Sequence, residues 1–224
     1  MDLVHMQSKP RRTPFAVEWF YTLGEDTIEG VDFKKVAKII LKKEKEILKK
    51  FPPSANGDGY TGLGPNSLTS RWESYNIFSW DDEEILKLRQ KIYEKYMEFM
   101  MKLNVPRMTV YIQCWANVLR DGQKIEPHLH NVGPYSYLSG HVCIQCEDTS
   151  TMYINPVNQI NKPEEYASKN EVGKFTIFQD CIPHYTTEHK GKKERITIAF
   201  DIVVEEFLHQ KSNPEHYEPF DEVL

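Results

Sequence analysis

The stretch richest in candidate chemistry is Glu126-Pro127-His128-Leu129-His130. Histidine, one residue, histidine on an extended strand puts both imidazoles on one face, because strand side chains repeat every two residues. His184, behind Pro183, comes 54 residues after His130, and Arg195-Ile196-Thr197 begins 11 residues later. Neutral imidazole is the commonest metal ligand near neutral pH, and a guanidinium meets a carboxylate through two parallel hydrogen bonds. Two neighbouring histidines, a distant third and a downstream arginine suggest a mononuclear metal site with an anion anchor beside it. The H-x-H pair alone would equally describe surface or core histidines. Its context adds weight: Asp121-Gly122 forms a turn ahead of the pair, and an alternating run, Gly173 to Phe178, leads toward His184.

The run Arg195 to Ile202 is the most informative. Ile196, Ile198, Phe200 and Ile202 share one strand face, and Arg195, Thr197, Ala199 and Asp201 share the other. If the second face lines an interior, Arg195 needs an anion there, and the Thr197 hydroxyl can add a hydrogen bond. A structural ion pair with an Asp or Glu is the competing reading.

The elements that must position these groups follow from periodicity. Phe15–Tyr21 reads as a short first strand, and Gly24–Gly30 as a loop. Phe33–Phe51 has helical apolar spacing, with Asp32 as N-cap and Pro52-Pro53 as its stop. Its lysine-rich opposite face reads as a solvated surface. Residues 52–78 are rich in Pro, Gly, Ser and Asn and suit a lid or extra edge, with a short strand within Thr69–Tyr75. Asp82–Leu103 reads as a second helix, Ser79 and Asp82 resembling a capping box. After Pro106 short strands dominate: Arg107–Leu119, Ile125–His130 as the next strand or its lip, Tyr137–Gln145, Thr151–Ile154, Phe175–Phe178 and Ile196–Val204. Residues 155–173 read as a polar connection. Such a block predicts a sandwich, barrel or jelly roll, and the two preceding helices make the class α+β, mainly β. The expected organisation is a single domain over 1–224. Residues 1–106 support a core over 107–204, and 205–224 form a peripheral acidic tail.

Composition narrows the function classes. A 224-residue chain that is 40% hydrophobic and 27% charged suits a globular protein. Its net charge of −5 argues against nucleic-acid binding. No apolar run reaches the roughly 20 residues of a membrane helix, and no secretory leader is evident, so the expected setting is cytoplasmic. Cys143 and Cys146 form a lone C-x-x-C within a strand-like run, where positions three apart point to opposite faces; these read as structural thiols rather than a zinc or redox site.

Taken together, His128-Leu129-His130, His184 and Arg195-Ile196-Thr197 resemble the metal and co-substrate motifs of the 2-oxoglutarate and Fe(II)-dependent oxygenase superfamily. Trp115-Ala116-Asn117 and Ser139-Gly140 resemble a branch close to the prolyl hydroxylases. The resemblance covers roughly residues 107–204. It implies a double-stranded β-helix with the N-terminal helices on one sheet, and Fe(II) on His128, His130 and His184. It also implies 2-oxoglutarate held by Arg195 and Thr197, with an inward tyrosine, Tyr111 or Tyr137, completing that pocket. The implied reaction converts 2-oxoglutarate to succinate and CO2 while hydroxylating a small-molecule or peptide substrate, with loops 52–78 and 155–173 as substrate walls. One position departs from the pattern: His130 stands where the superfamily carries an Asp or Glu, and Glu126 and Asp180 are the nearest carboxylates in sequence. A cupin-like metalloprotein and a non-catalytic binding module, neither using 2-oxoglutarate, are the alternatives.

Overall fold

Two amphipathic helices form where the apolar periodicity places them. The first, α1 (Phe33–Lys50), is capped by Asp32, whose carboxylate accepts the Lys35 N–H at 3.1 Å. It ends with Lys49 and Lys50 against the negative end of the helix dipole. The second, α2 (Glu83–Leu103), is capped by Asp82, which accepts the Glu84 N–H at 2.8 Å. Ser79 takes no part in that cap; its hydroxyl donates to the Asn76 carbonyl at 2.7 Å. Asn104 closes α2 in the left-handed conformation (φ 53°). The Asp32 N–H donates to Glu84 at 2.8 Å, so the two helix starts are tied together.

The structure is a computed structural model that describes residues 1–157 and 163–220. Its strands are β1 (Asp2–Gln7), β2 (Phe20–Thr27), β3 (Val110–Leu119), β4 (Leu138–Gln145), β5 (Ser150–Ile154), β6 (Glu165–Lys169), β7 (Lys174–Gln179), β8 (His184–Thr186), β9 (Arg195–Val204) and β10 (Glu218–Pro219), with a short helix α3 (Glu205–Leu208) after β9. Seven form one antiparallel sheet in the order β1-β2-β7-β4-β9-β3-β10, and three form a second, β6-β5-β8. The result is the jelly-roll arrangement of a double-stranded β-helix, with the helices outside the larger sheet.

Strand β9 shows why the layers close. Ile196, Ile198, Phe200 and Ile202 are buried in the same apolar cluster as Val36, Ile40, Ile85, Ile92 and Phe99 of the helices. Arg195, Thr197, Ala199 and Asp201 therefore face the other way, into the space between the sheets. Register is exact along β3, from Val110 opposite Val204 to Leu119 opposite Arg195. On β4, Gly140 lies where a Cβ would sit 2.3 Å from Phe200 and 2.4 Å from the Thr176 carbonyl, so only glycine lets the Phe200 ring lie flat on the sheet.

Several elements differ from their sequence reading. Phe15 and Val17 are exposed, and the strand begins only at Phe20, continuing through Gly24 to Thr27 because it is bonded on both sides, to β1 and to β7. Thr69–Ser74 is a 3-10 turn rather than a strand. Its Arg71 is buried and donates to the carbonyls of Phe51 (3.2 Å) and Ser67 (3.3 Å). Ile125–His130 makes a single β-bridge, at His128. Within the 155–173 connection lies β6, while residues 158–162 fall outside the described residues, as do 221–224 of the tail. The described part of the tail returns to the body: β10 pairs with β3, and Phe220 is buried against Tyr93 and Tyr96.

Candidate active site

The three histidines reach one point by different routes. His128 and His184 sit opposite each other in the isolated bridge, and His130 follows two residues on. Their ring centroids are 4.4 Å (His128–His184), 5.2 Å (His130–His184) and 5.5 Å (His128–His130) apart. One ligand atom from each lies within 4.8 Å of the others, and this is the one such group among the described residues. His128 Nδ1 donates to the Glu126 carbonyl at 2.9 Å, and His184 Nδ1 to the Ile182 carbonyl at 3.1 Å. A carbonyl only accepts, so both Nδ1 atoms carry the proton and each Nε2 keeps its lone pair. His130 Nδ1 is held by the Asp201 carboxylate. All three rings thus have one nitrogen tied to protein oxygen and one available, the arrangement of metal-binding histidines.

The electrostatics favour lone pairs over protons at two of the three rings. Burial, then the charge of His130, pushes His128 down to about 4. Burial likewise holds His184 well below the usual range. Burial also lowers His130, but the charge and hydrogen bond of Asp201 outweigh it and raise that ring. A divalent cation bound to Nε2 would substitute for the proton in each case.

The same cavity, about 240 Å³, runs from the histidines to Arg195 and is lined also by Thr197, Asn117, His141, Thr151, Trp72 and Trp115. Arg195 is 1% exposed, and its Nε and Nη1 have no hydrogen-bond partner. No carboxylate lies within ion-pair distance of it among the described residues, so the structural ion pair considered from sequence is absent there. A buried guanidinium without an anion costs several kcal/mol, of order 3–5. Two further buried polar atoms nearby are unpartnered, His141 Nε2 and the Tyr153 hydroxyl. Tyr153 packs 5.9 Å from His184 and 6.5 Å from His141, ring to ring. An unpartnered guanidinium lining the cavity beside the Thr197 hydroxyl and His141 fits an anionic ligand with a carboxylate at that end.

Neither tyrosine expected from sequence lies here. The Tyr137 hydroxyl meets that of Tyr96 at 3.0 Å, on the helix side of the sheet, because β4 begins only at Leu138 and strand parity does not extend back to 137. Tyr111 pairs with Val203 and Pro219, eight residues along β3 from the partner of Arg195, about 26 Å at 3.3 Å per residue. Tyr153 is the tyrosine that packs against the site histidines, fully buried behind His141 and His184 rather than among the residues that line the cavity. The alternation Thr151, Tyr153 in a recognised strand carried that signal, as did Ser139, His141 in β4.

The two substitute carboxylates are also engaged elsewhere. Glu126 is half exposed, pairs with Lys124 at 3.1 Å and packs over Gly62. Asp180 accepts the Tyr137 N–H at 2.9 Å and the Ser136 hydroxyl. Of the two loops expected to wall the site, 52–78 contributes Asp58, Tyr60, Thr61, Thr69 and Trp72 to the lining, and Thr69 Oγ1 donates to Asn117 at 2.7 Å. No described residue of 155–173 lines it. Cys143 is buried and bonds Asn170 at 3.4 Å, and β4 bulges between Cys143 and Gln145, which ends the strict alternation assumed for the C-x-x-C. All four cysteines are free thiols.

Residues 113–201 match the family described as "Putative 2OG-Fe(II) oxygenase". No curated protein sequence matches the chain. Solved structures share the fold at low identity. A prolyl-4-hydroxylase from Pseudomonas putida aligns with TM-score 0.53 and 11% identity, over 81% of this chain and 91% of that one. A viral collagen prolyl hydroxylase from Paramecium Bursaria Chlorella virus-1, in complex with 2OG, gives 0.52 and 12%, over 81% and 96%. The non-heme alpha ketoglutarate dependent carbocyclase SnoK from nogalamycin biosynthesis gives 0.57 and 8%, over 88% and 91%. The fold shared with these structures is the double-stranded β-helix described above. The segment matched by that family carries His128, His130, His184, Arg195 and Thr197.

Proposed function

We propose that this protein is a 2OG-Fe(II) oxygenase that hydroxylates a C–H bond of a small-molecule or peptide substrate, with His128, His130 and His184 holding Fe(II) and Arg195 and Thr197 holding the far carboxylate of 2-oxoglutarate. One observation carries the reading: an unpaired, buried guanidinium and three imidazoles with free nitrogens share one cavity. Bound Fe(II) with 2-oxoglutarate supplies oxidative decarboxylation to succinate and CO2, coupled to oxidation of the substrate. The chain's own residues do the positioning. Arg195 takes the distal carboxylate, assisted by the Thr197 hydroxyl. Trp72, Trp115 and the 52–78 segment line the cavity, exclude water and orient the substrate. No described helix is long and apolar enough to cross a membrane, and four free thiols accord with a reducing, cytoplasmic setting.

The test is anaerobic loading with Fe(II) and 2-oxoglutarate, followed by admission of oxygen and measurement of succinate. Iron-dependent succinate formation that Arg195→Ala abolishes supports the proposal. Metal binding with no 2-oxoglutarate turnover would favour a cupin-like metalloprotein instead.

A further inference from the structure

The three imidazoles bring no net charge to the metal, yet one carboxylate stands immediately behind them. Asp201 lines the cavity, its side chain is 14% exposed, and its Oδ1 accepts both the Ser139 hydroxyl at 2.7 Å and His130 Nδ1. Its one ion-pair partner among the described residues is His130. Glu126 and Asp180 are committed to Lys124 and to Ser136 with Tyr137, so neither is available.

A charge count makes the placement significant. Two positive charges on the metal and one on Arg195 meet two negative charges on 2-oxoglutarate, leaving one positive charge uncompensated in a buried cavity. Such a residue of charge is costly in low dielectric. A carboxylate at position 130 would cancel it directly. Here the position is histidine, and the carboxylate lies one side chain further out.

We propose that Asp201 is a positioning residue that replaces the missing metal-bound carboxylate from behind: it orients His130 with Nε2 toward the other two nitrogens and supplies the compensating charge through that ring. This rests on the three histidines being the metal ligands, as argued above. A carboxylate bonded to a ligating imidazole fixes its tautomer and raises its basicity, and loss of such a partner typically costs about 10–100-fold in metal affinity.

The experiment is an anaerobic titration of the full chain with Co(II), a spectroscopic stand-in for Fe(II), followed by absorption in the visible range. Wild type is compared with Asp201→Asn, Asp201→Glu and His130→Ala, and thermal melts establish that each is folded. Asparagine keeps the acceptor oxygen for His130 and Ser139 and removes only the charge. The expected result is a loss of about 10–100-fold in Co(II) affinity for Asp201→Asn, with displaced ligand-field bands and partial recovery in Asp201→Glu. Asp201→Asn binding within twofold of wild type with an unchanged spectrum overturns the proposal. So does Co(II) binding that survives His130→Ala but not Asp201→Asn, which would make Asp201 the ligand itself. Failure of wild type to bind Co(II) would remove the histidine site as a whole and is distinguishable from both.

Discussion

His128 and His184 are bonded to each other through their backbones: the His128 N–H donates to the His184 carbonyl at 3.1 Å, and the His184 N–H to the His128 carbonyl at 2.9 Å. Each follows a proline, which lacks an N–H and restrains the residue before it. Two rings from distant parts of the chain are therefore set side by side by the main chain, before any metal arrives. His184→Ala is expected to keep this bridge and lose at least about 100-fold in Fe(II) affinity, beyond the cost of losing an outer partner. Isothermal titration under anaerobic conditions, beside a melt of the metal-free protein, measures both.

Arg195 sets up a trade between stability and binding. Its guanidinium is buried with two nitrogens unpartnered, and since even buried ion pairs can be replaced by apolar side chains of similar volume with a gain of up to about 4 kcal/mol, an unpaired buried charge has still less to lose. Arg195→Met should raise the melting temperature of the ligand-free protein while abolishing the thermal shift that 2-oxoglutarate gives wild type. A variant that melts lower and still responds to 2-oxoglutarate would contradict the anchor.

Acid should destabilise the metal-free protein through its buried histidines. His128 and His141 are pushed down to about 4 and about 3, and His184 is also lowered, chiefly by burial. A folded value below the unfolded one means the unfolded chain binds more protons. The stability is therefore present above about pH 6.5 and lost as pH falls below it. For His141 the loss between pH 8 and pH 5 is roughly 2 kcal/mol. His130, raised by Asp201, works in the opposite sense but is one ring against three. Melts across this range should fall toward acid, and His141→Gln should flatten the profile.

Gly140→Ala probes the layer that holds β9. The added methyl would meet Phe200 at 2.3 Å and the Thr176 backbone at 2.4 Å, and overpacking of this kind costs typically about 1–3 kcal/mol. Chemical denaturation should show a lowered midpoint with an unchanged slope.

The sequence was most legible where one physical rule dominated. Apolar spacing and caps located α1 and α2 to within a residue or two at their starts, because their burial is one-sided. The β9 pattern identified the face carrying Arg195, Thr197 and Asp201. Parity names a face, though, and not a place along the strand. Tyr111 is on a recognised strand yet far from Arg195, and Tyr137 falls one residue before its strand starts. Strands β1, β6, β8 and β10 are short or polar edges whose existence depends on partners distant in sequence. The role of Asp201 became visible only once His130 was brought beside it.

Arg195 and Asp201 stand on a single strand, six residues or about 20 Å apart, with the long reach of an arginine at one end and an aspartate-histidine pair at the other. The span between the anion-holding end of the cavity and its metal end is thereby gauged by covalent backbone rather than by loop conformation. Loops around the mouth can lengthen or be exchanged for new substrates without recalibrating it. A one-residue deletion within β9, by contrast, would turn Arg195 or Asp201 into the apolar layer beneath the helices, so the calibration tolerates no drift in steps smaller than two residues.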